Sequence, residues 1–315
     1  MAVPVRRSWV DAFASEPTPG GVRYDEILLG PQAGKLRAIA AIVSGVFLFV
    51  VLAPTVSQLL GWLGWVIFQP GGDVTDWLRS LAAFEHPWGM FAGHIALALL
   101  IPISLAVVLF FHRRHPRWLA SVRPWFRWRY LVISMGLALV VFNLFLFLSH
   151  LGQPFPHLQP QRDYWVFLVL ILLTSPLQAA AEEYLFRGYL LQAFGSFAAT
   201  PWVGIIASSV LFAAFHGGQN LPLFVNRLAF GLLAAILVWR TGGLEAGIAA
   251  HVINNISAYG LAALTGSIAA LRSITAIGWT SSLIDIVGFA LFATVAIGIA
   301  RRSRLDNLTP SLERP

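Results

Sequence analysis

Ala179-Ala180-Ala181-Glu182-Glu183-Tyr184-Leu185-Phe186-Arg187 decides how this chain is read. Two adjacent carboxylates and a guanidinium follow an apolar run, Tyr164 to Ala181, long enough to cross a bilayer; apolar residues resume at Leu190 and Leu191. A charged side chain at bilayer depth costs roughly 2.5–3.5 kcal/mol on insertion scales, so it requires partners and marks a functional position. Glu183 and Arg187 are four residues apart and share a helix face, where they can neutralise each other. Glu182 is rotated by about 100° from Glu183 and can face a cavity instead.

The composition around this stretch is that of an integral membrane protein. Of 315 residues only 11% are charged, against about a quarter in a soluble chain, and the mean hydropathy is +0.74. The net charge of +7 does not argue for nucleic acid. The basic residues sit in short loops beside apolar runs, as the positive-inside rule expects. Cysteine is absent, which excludes a disulfide framework, a thiol nucleophile and a thiolate metal site.

The hydrophobic pattern predicts an all-α protein of about eight transmembrane helices. Residues 1–34 read as a polar cytoplasmic or surface arm without an uninterrupted apolar stretch, so no cleavable signal is expected. Residues 35–160 carry three spans, near 39–68, 88–111 and 131–148. Pro54 is a candidate kink in the first. The link between the first two reads as a loop with Asp73, Asp76, Arg79 and Glu85. His94, in the second, reads as a packing or pore-facing residue, not a ligand. The loop from His112 to Arg129 interleaves six arginines with Trp118, Trp125 and Trp128; it is expected to meet anionic headgroups rather than nucleic acid. A near-neutral loop with Pro154, Pro156 and Pro160 follows. Residues 161–265 form the core, with spans near 164–194, 202–216, 222–239 and 244–264. Residues 266–315 hold a last span near 282–300, with Asp285 expected at the interface, and a basic tail. Arginine and lysine counts in the loops place both termini in the cytoplasm. No internal repeat supports a transporter built on inverted halves.

Four polar clusters interrupt the apolar pattern: Glu182-Glu183 with Arg187; Phe212 to His216; His251 to Asn255; and Asn226-Arg227. With the turns near 195–201 and 240–244 on one side, Glu182 lies roughly 20 Å deep, His216 roughly 22 Å, and His251 and Asn255 roughly 10–17 Å, at 1.5 Å per residue. The acid, imidazoles and amide could therefore meet in one layer inside the membrane. A carboxylate with a histidine can deprotonate a water, and a second histidine with an asparagine can stabilise an oxyanion. That set suits hydrolysis of a peptide bond. The same Glu182, His216 and His251 could instead hold a divalent metal such as zinc with an open water position. There is no His-Glu-x-x-His helix, and the sequence does not choose between no cofactor and a metal. For Asn226-Arg227, a structural role is the simpler reading.

At these residues the chain resembles the CPBP family of CAAX prenyl endopeptidases of the type II kind, bacteriocin-processing proteins and their Abi relatives. Its three marks are Glu-Glu-x-x-x-Arg, Phe-x-x-x-His and His-x-x-x-Asn on successive helices. Here they are Glu182-Glu183-x-x-x-Arg187, Phe212-x-x-x-His216 and His251-x-x-x-Asn255, with Tyr184, Phe186 and Gly188 also in the family's manner. The resemblance implies an intramembrane endopeptidase with its site in a conical cavity within the membrane. Glu182 and His216 would activate the water, and His251 and Asn255 would polarise the scissile carbonyl. Glu183 and Arg187 would support Glu182. The expected partners are membrane lipid and a peptide or protein substrate. The expected location is a cell membrane, for a bacterial chain the inner one. A catalytically silent scaffold or bacteriocin-immunity protein on the same fold, and a proton-coupled transporter, are the alternative readings.

Overall fold

The computed structural model describes residues 9–29, 34–123, 125–151, 157–197, 200–266 and 268–311; Pro154 and Pro156 of the predicted loop lie outside them. Among the described residues the fold is helical, with two isolated β-bridges and no named strand. All eight predicted helices are present. They are α1 (Lys35–Phe68), α3 (Pro87–Phe110), α4 (Trp128–Ser149), α5 (Tyr164–Gly195), α6 (Pro201–Ala214), α7 (Leu221–Thr241), α8 (Glu245–Thr265) and α9 (Trp279–Arg302), with a short α2 (Val74–Ala82) after α1. Six of them are long and apolar enough to cross a membrane; α6 is too short, with 14 residues, and α8 is too polar. These two carry His216 at the end of α6 and His251 in α8. The first half of α8 is wholly buried, so its composition need not satisfy lipid.

α1 shows how the helices meet. At 34 residues it is about 51 Å long, well beyond a hydrocarbon core of about 30 Å, so it tilts or projects. Its buried positions are Ala38, Ala41, Gly45, Ala53, Gly61 and Gly64, while Phe47, Leu59, Leu63 and Ile67 are exposed. Small residues on one face allow close packing where lipid offers no hydrophobic drive. A Cβ on Gly64 would lie 2.3 Å from the Trp88 ring, whose Nε1 donates to Leu60 O at 2.7 Å. The helix runs continuously through Pro54. The interruption instead falls in α3 at Leu99, three residues before Pro102: proline has no N–H for the Ala98 carbonyl.

One loop expectation is corrected. The link carrying Asp73 and Asp76 folds as α2, because Asp73 accepts from the N–H groups of Thr75 and Asp76 at 2.8 and 2.9 Å and Trp77 and Leu81 bury one face. Those two donors hold the Asp73 carboxyl below its ordinary range. In the arginine-rich loop three of the six arginines bind the protein itself, while Arg113, Arg117 and Arg129 are exposed. Arg114 inserts among the carbonyls of Pro17 and Leu29, Arg123 pairs with Asp306 at 2.6 Å, and Arg127 forks onto the fully buried Glu245 at 2.8 and 2.6 Å. The N-terminal arm is drawn in with it: Tyr24 donates to Leu119 O, and Tyr24, Asp25, Ile27 and Leu28 are buried.

Helix α8 packs against α4 and α5, α7 against α6 and α9, and α3 against α1 and α5. The Arg127 fork fixes the first residue of α8. Removing one partner of a buried pair leaves an uncompensated charge, at a cost of about 3–5 kcal/mol. Glu245→Ala is therefore expected to lower the thermal midpoint in detergent markedly, while the Arg127→Met/Glu245→Met double variant recovers part of the loss. An unchanged midpoint for Glu245→Ala would show that the fork does not anchor α8.

Candidate active site

The charged stretch of α5 departs from regular α-helix. Tyr184–Leu190 winds as a π-helix, and the Leu191 N–H donates to Phe186 O, five residues back. Such turns are rare and gather at functional positions. Glu183 and Arg187, both 0% exposed, flank its start, with Nη1 of Arg187 donating to Oε1 of Glu183 at 2.9 Å. The guanidinium lies 4.0 Å from the Phe212 ring centroid and 5.5 Å from that of Phe230, so aromatic faces stand where water would otherwise solvate it.

Glu183 does a second job. Its Oε1 also lies 2.8 Å from Nδ1 of His251 on α8. The helices come close enough because the facing residue is Gly247, one turn before His251; a Cβ there would lie 3.1 Å from Oε2 of Glu183. With Nδ1–H given to a carboxylate, the ring has only Nε2 for the cavity, and Nε2 lies 3.7 Å from Oε2 of Glu182. His216, just past α6, has the same arrangement in simpler form. Its Nδ1 bonds Phe212 O at 2.7 Å, which leaves its Nε2 free.

Glu182 points the other way from Glu183. Its Oε1 accepts from Nε2 of Gln178, one turn earlier on α5, and Oε1 of Gln178 accepts from Nδ2 of Asn255 at 2.9 Å. The chain Asn255–Gln178–Glu182 thus fixes the carboxylate from below. Glu182, His216, His251, Asn255 and Gln178 all line one cavity of about 490 Å³, whose apolar wall includes Phe49, Val50 and Pro54 of α1.

The structure therefore brings four of the six expected residues, Glu182, His216, His251 and Asn255, to the cavity, with Glu183 and Arg187 buried behind them. It gives two of them different contacts. Glu183 grips His251 rather than Glu182, and the Asn255 amide is engaged by Gln178. Gln178 was missed, although an amide four residues before Glu182 in an apolar run was the available signal. His94 is pore-facing, and its Nδ1 meets Thr174 Oγ1 at 2.7 Å. Arg227 bonds Gln219 at 2.8 Å and is in no ion pair with Glu182 or Glu183. Asn226 pairs with Asp285 at 3.1 Å, so that carboxylate is tied to α7. Among the described residues no three His, Cys, Asp or Glu side chains are arranged to hold a metal ion. Glu182, His216 and His251 share the cavity without closing into a ligand set.

A helical membrane core with Glu, His and His drawn from three helices around one cavity is the class this geometry defines. Residues 163–257 match the family model described as "Type II CAAX prenyl endopeptidase Rce1-like". That segment contains all three motifs, and the likeness read from them is borne out. The chain is also similar to "Uncharacterized protein YyaK" of Bacillus subtilis (strain 168), at 26% identity over 211 residues, 64% of this chain and 70% of the relative. It is similar to "Uncharacterized 24.3 kDa protein" of Escherichia coli at 35% identity over 92 residues, 29% of this chain and 41% of the relative.

The two adjacent glutamates differ in what their loss leaves behind. Glu183→Ala strands a buried guanidinium and an imidazole, and is expected to destabilise the protein by about 3–5 kcal/mol. Glu182→Gln keeps its shape beside Gln178 at the cavity wall and is expected to change stability by about 1 kcal/mol or less. Thermal unfolding of both variants in one detergent checks this; equal losses would contradict the division of labour.

Proposed function

We propose that this protein is an intramembrane endopeptidase that hydrolyses a peptide bond of a membrane-associated or C-terminal-tail substrate. The observation that carries the reading is the Glu182 carboxylate, held by Gln178, standing 3.7 Å from the free nitrogen of His251 within the cavity that His216 also lines. A water placed between Glu182 and Nε2 of His216 gives up a proton to the carboxylate, and its oxygen attacks the scissile carbonyl carbon. His251, protonated at Nε2 and oriented through Nδ1 by Glu183, donates to the oxyanion that forms. The proton on Glu182 then passes to the departing amine. Gln178 and Asn255 act by positioning Glu182. Water is activated here by side chains alone in our reading, with Glu182 as the base and the two imidazoles beside it.

Cleavage of a quenched membrane-peptide substrate by purified protein tests this. Glu182→Gln, His216→Ala and His251→Ala are each expected to lower kcat/KM by about 10²–10⁴, the range of a positioned general acid–base. Gln178→Leu is expected to lower it about tenfold while leaving the fold intact. Excess chelator is expected to leave the rate unchanged. Full activity in all three variants would overturn the proposal, and loss to chelator restored by zinc would overturn its metal-free form.

We also propose that the protein is a multi-pass component of the cell membrane with both termini cytoplasmic, on the loop charge asymmetry. The cysteine-free chain permits a direct test. A membrane-impermeant maleimide is expected to label Thr75→Cys in intact cells and Ser303→Cys only after lysis; the reverse pattern would invert the topology.

A further inference from the structure

The cavity has a second polar wall that the hydrolytic steps leave unused. It is made by His94 of α3, Tyr259 of α8 and Arg272, at the end of the short helix Ile268–Arg272, with Phe84 among them. Among the described residues lining the cavity, Arg272 is the one arginine or lysine. Its Nε donates to Ala82 O at 2.9 Å, and its guanidinium lies 4.2 Å from the Phe84 ring centroid. Both contacts fix the plane of the group. Neither uses its two terminal nitrogens, and among the described residues it enters no ion pair. The cavity's carboxylate, Glu182, is already held by Gln178.

His94 packs in the same wall, beside the ring on which the arginine lies. It is 2% exposed. The Thr174 hydroxyl gives its hydrogen to Leu170 O at 2.7 Å, so Oγ1 accepts from Nδ1–H of His94. Nε2 of His94 is then an acceptor, and it is buried with no hydrogen-bond partner. The imidazole stands 5.8 Å from the Tyr259 ring and 5.9 Å from the Phe84 ring, so it shares one box with the arginine.

We propose that this wall is a peptide-carboxylate subsite. The terminal nitrogens of Arg272 take a carboxylate of the bound peptide in a two-point pair, and the Phe84, His94 and Tyr259 rings wall the subsite. The inference rests on the reading that the cavity admits peptides. It adds that a carboxylate lying beyond the scissile bond sets which peptides are taken. That carboxylate is either the chain's free C-terminus or an Asp or Glu side chain.

Three quenched peptides separate the cases: one with a free C-terminal acid, the same peptide amidated, and the amidated peptide with an Asp at the last position. They are assayed for cleavage by the full-length protein. The same three peptides, fluorescently labelled, are assayed for binding to the Glu182→Gln variant by anisotropy. The expected result is a roughly tenfold lower KM and Kd for a carboxylate-bearing peptide than for the plain amide. Arg272→Gln is expected to abolish that preference with kcat little changed, and Arg272→Lys to restore it in part. Preference for the free acid alone identifies the terminus as the source; equal preference for the Asp peptide admits a side chain. Equal treatment of all three peptides by the unaltered protein would overturn the inference, whatever the variants do. Cleavage without preference leaves the peptidase reading standing and ends this one. Carboxylate-selective binding without any cleavage does the opposite.

Discussion

A carboxylate and a guanidinium with no exposed surface, 2.9 Å apart, are the constraint on which the rest of the site hangs. Neither Glu183 nor Arg187 can be solvated by lipid, and each holds the other at a fixed place on α5. Once Arg187 is pinned over Phe212 and Phe230, α6 and α7 are held against α5. Once Glu183 is pinned, its shared oxygen sets the ring of His251 and with it the register of α8, where a Cβ at Gly247 would press on the same carboxylate at 3.1 Å. A buried pair of this kind adds little net stability compared with apolar packing. Here it specifies which way two neighbouring residues on a membrane helix face.

That division explains why two glutamates stand side by side. Glu183 is enclosed and bound to Arg187 and His251; Glu182, with its side chain 13% exposed, is left with a cavity in front of it. The two histidines obey one rule: each gives Nδ1 to an oxygen of its own surroundings and keeps Nε2 for the cavity. The helices that carry them, α6 and α8, are the two that lack the length or apolarity of an independent span. Both are packed among longer helices. Polar chemistry sits where lipid is already excluded, as backbone and polar groups at membrane depth require.

Much of this was legible from residue types and spacing. The eight helices follow from the apolar runs, the face shared by Glu183 and Arg187 from the 3.6-residue turn, and the rise per residue allowed Glu182, His216 and His251 to meet in one layer. What was not legible is pairing between positions far apart in the chain. Gln178 meets Asn255 across 77 residues and His94 meets Thr174 across 80; neither bond leaves a local pattern. The loop arginines show the same limit. A cationic run beside a span reads as a surface feature, yet Arg127 finds Glu245 118 residues away and becomes an internal fastener. Arg272 fell in an unremarkable link after α8, and only the fold turns it toward the cavity.

The account turns on Glu182 acting as a base toward water rather than as a nucleophile toward the peptide. A single turnover in ¹⁸O-labelled water, with enzyme in excess over substrate, distinguishes the two. The account predicts one ¹⁸O in the new carboxylate of the cleaved peptide and an unlabelled Glu182 when the protein's own fragments are weighed by mass spectrometry. Label in the Glu182 fragment, with unlabelled product from that first turnover, would contradict it.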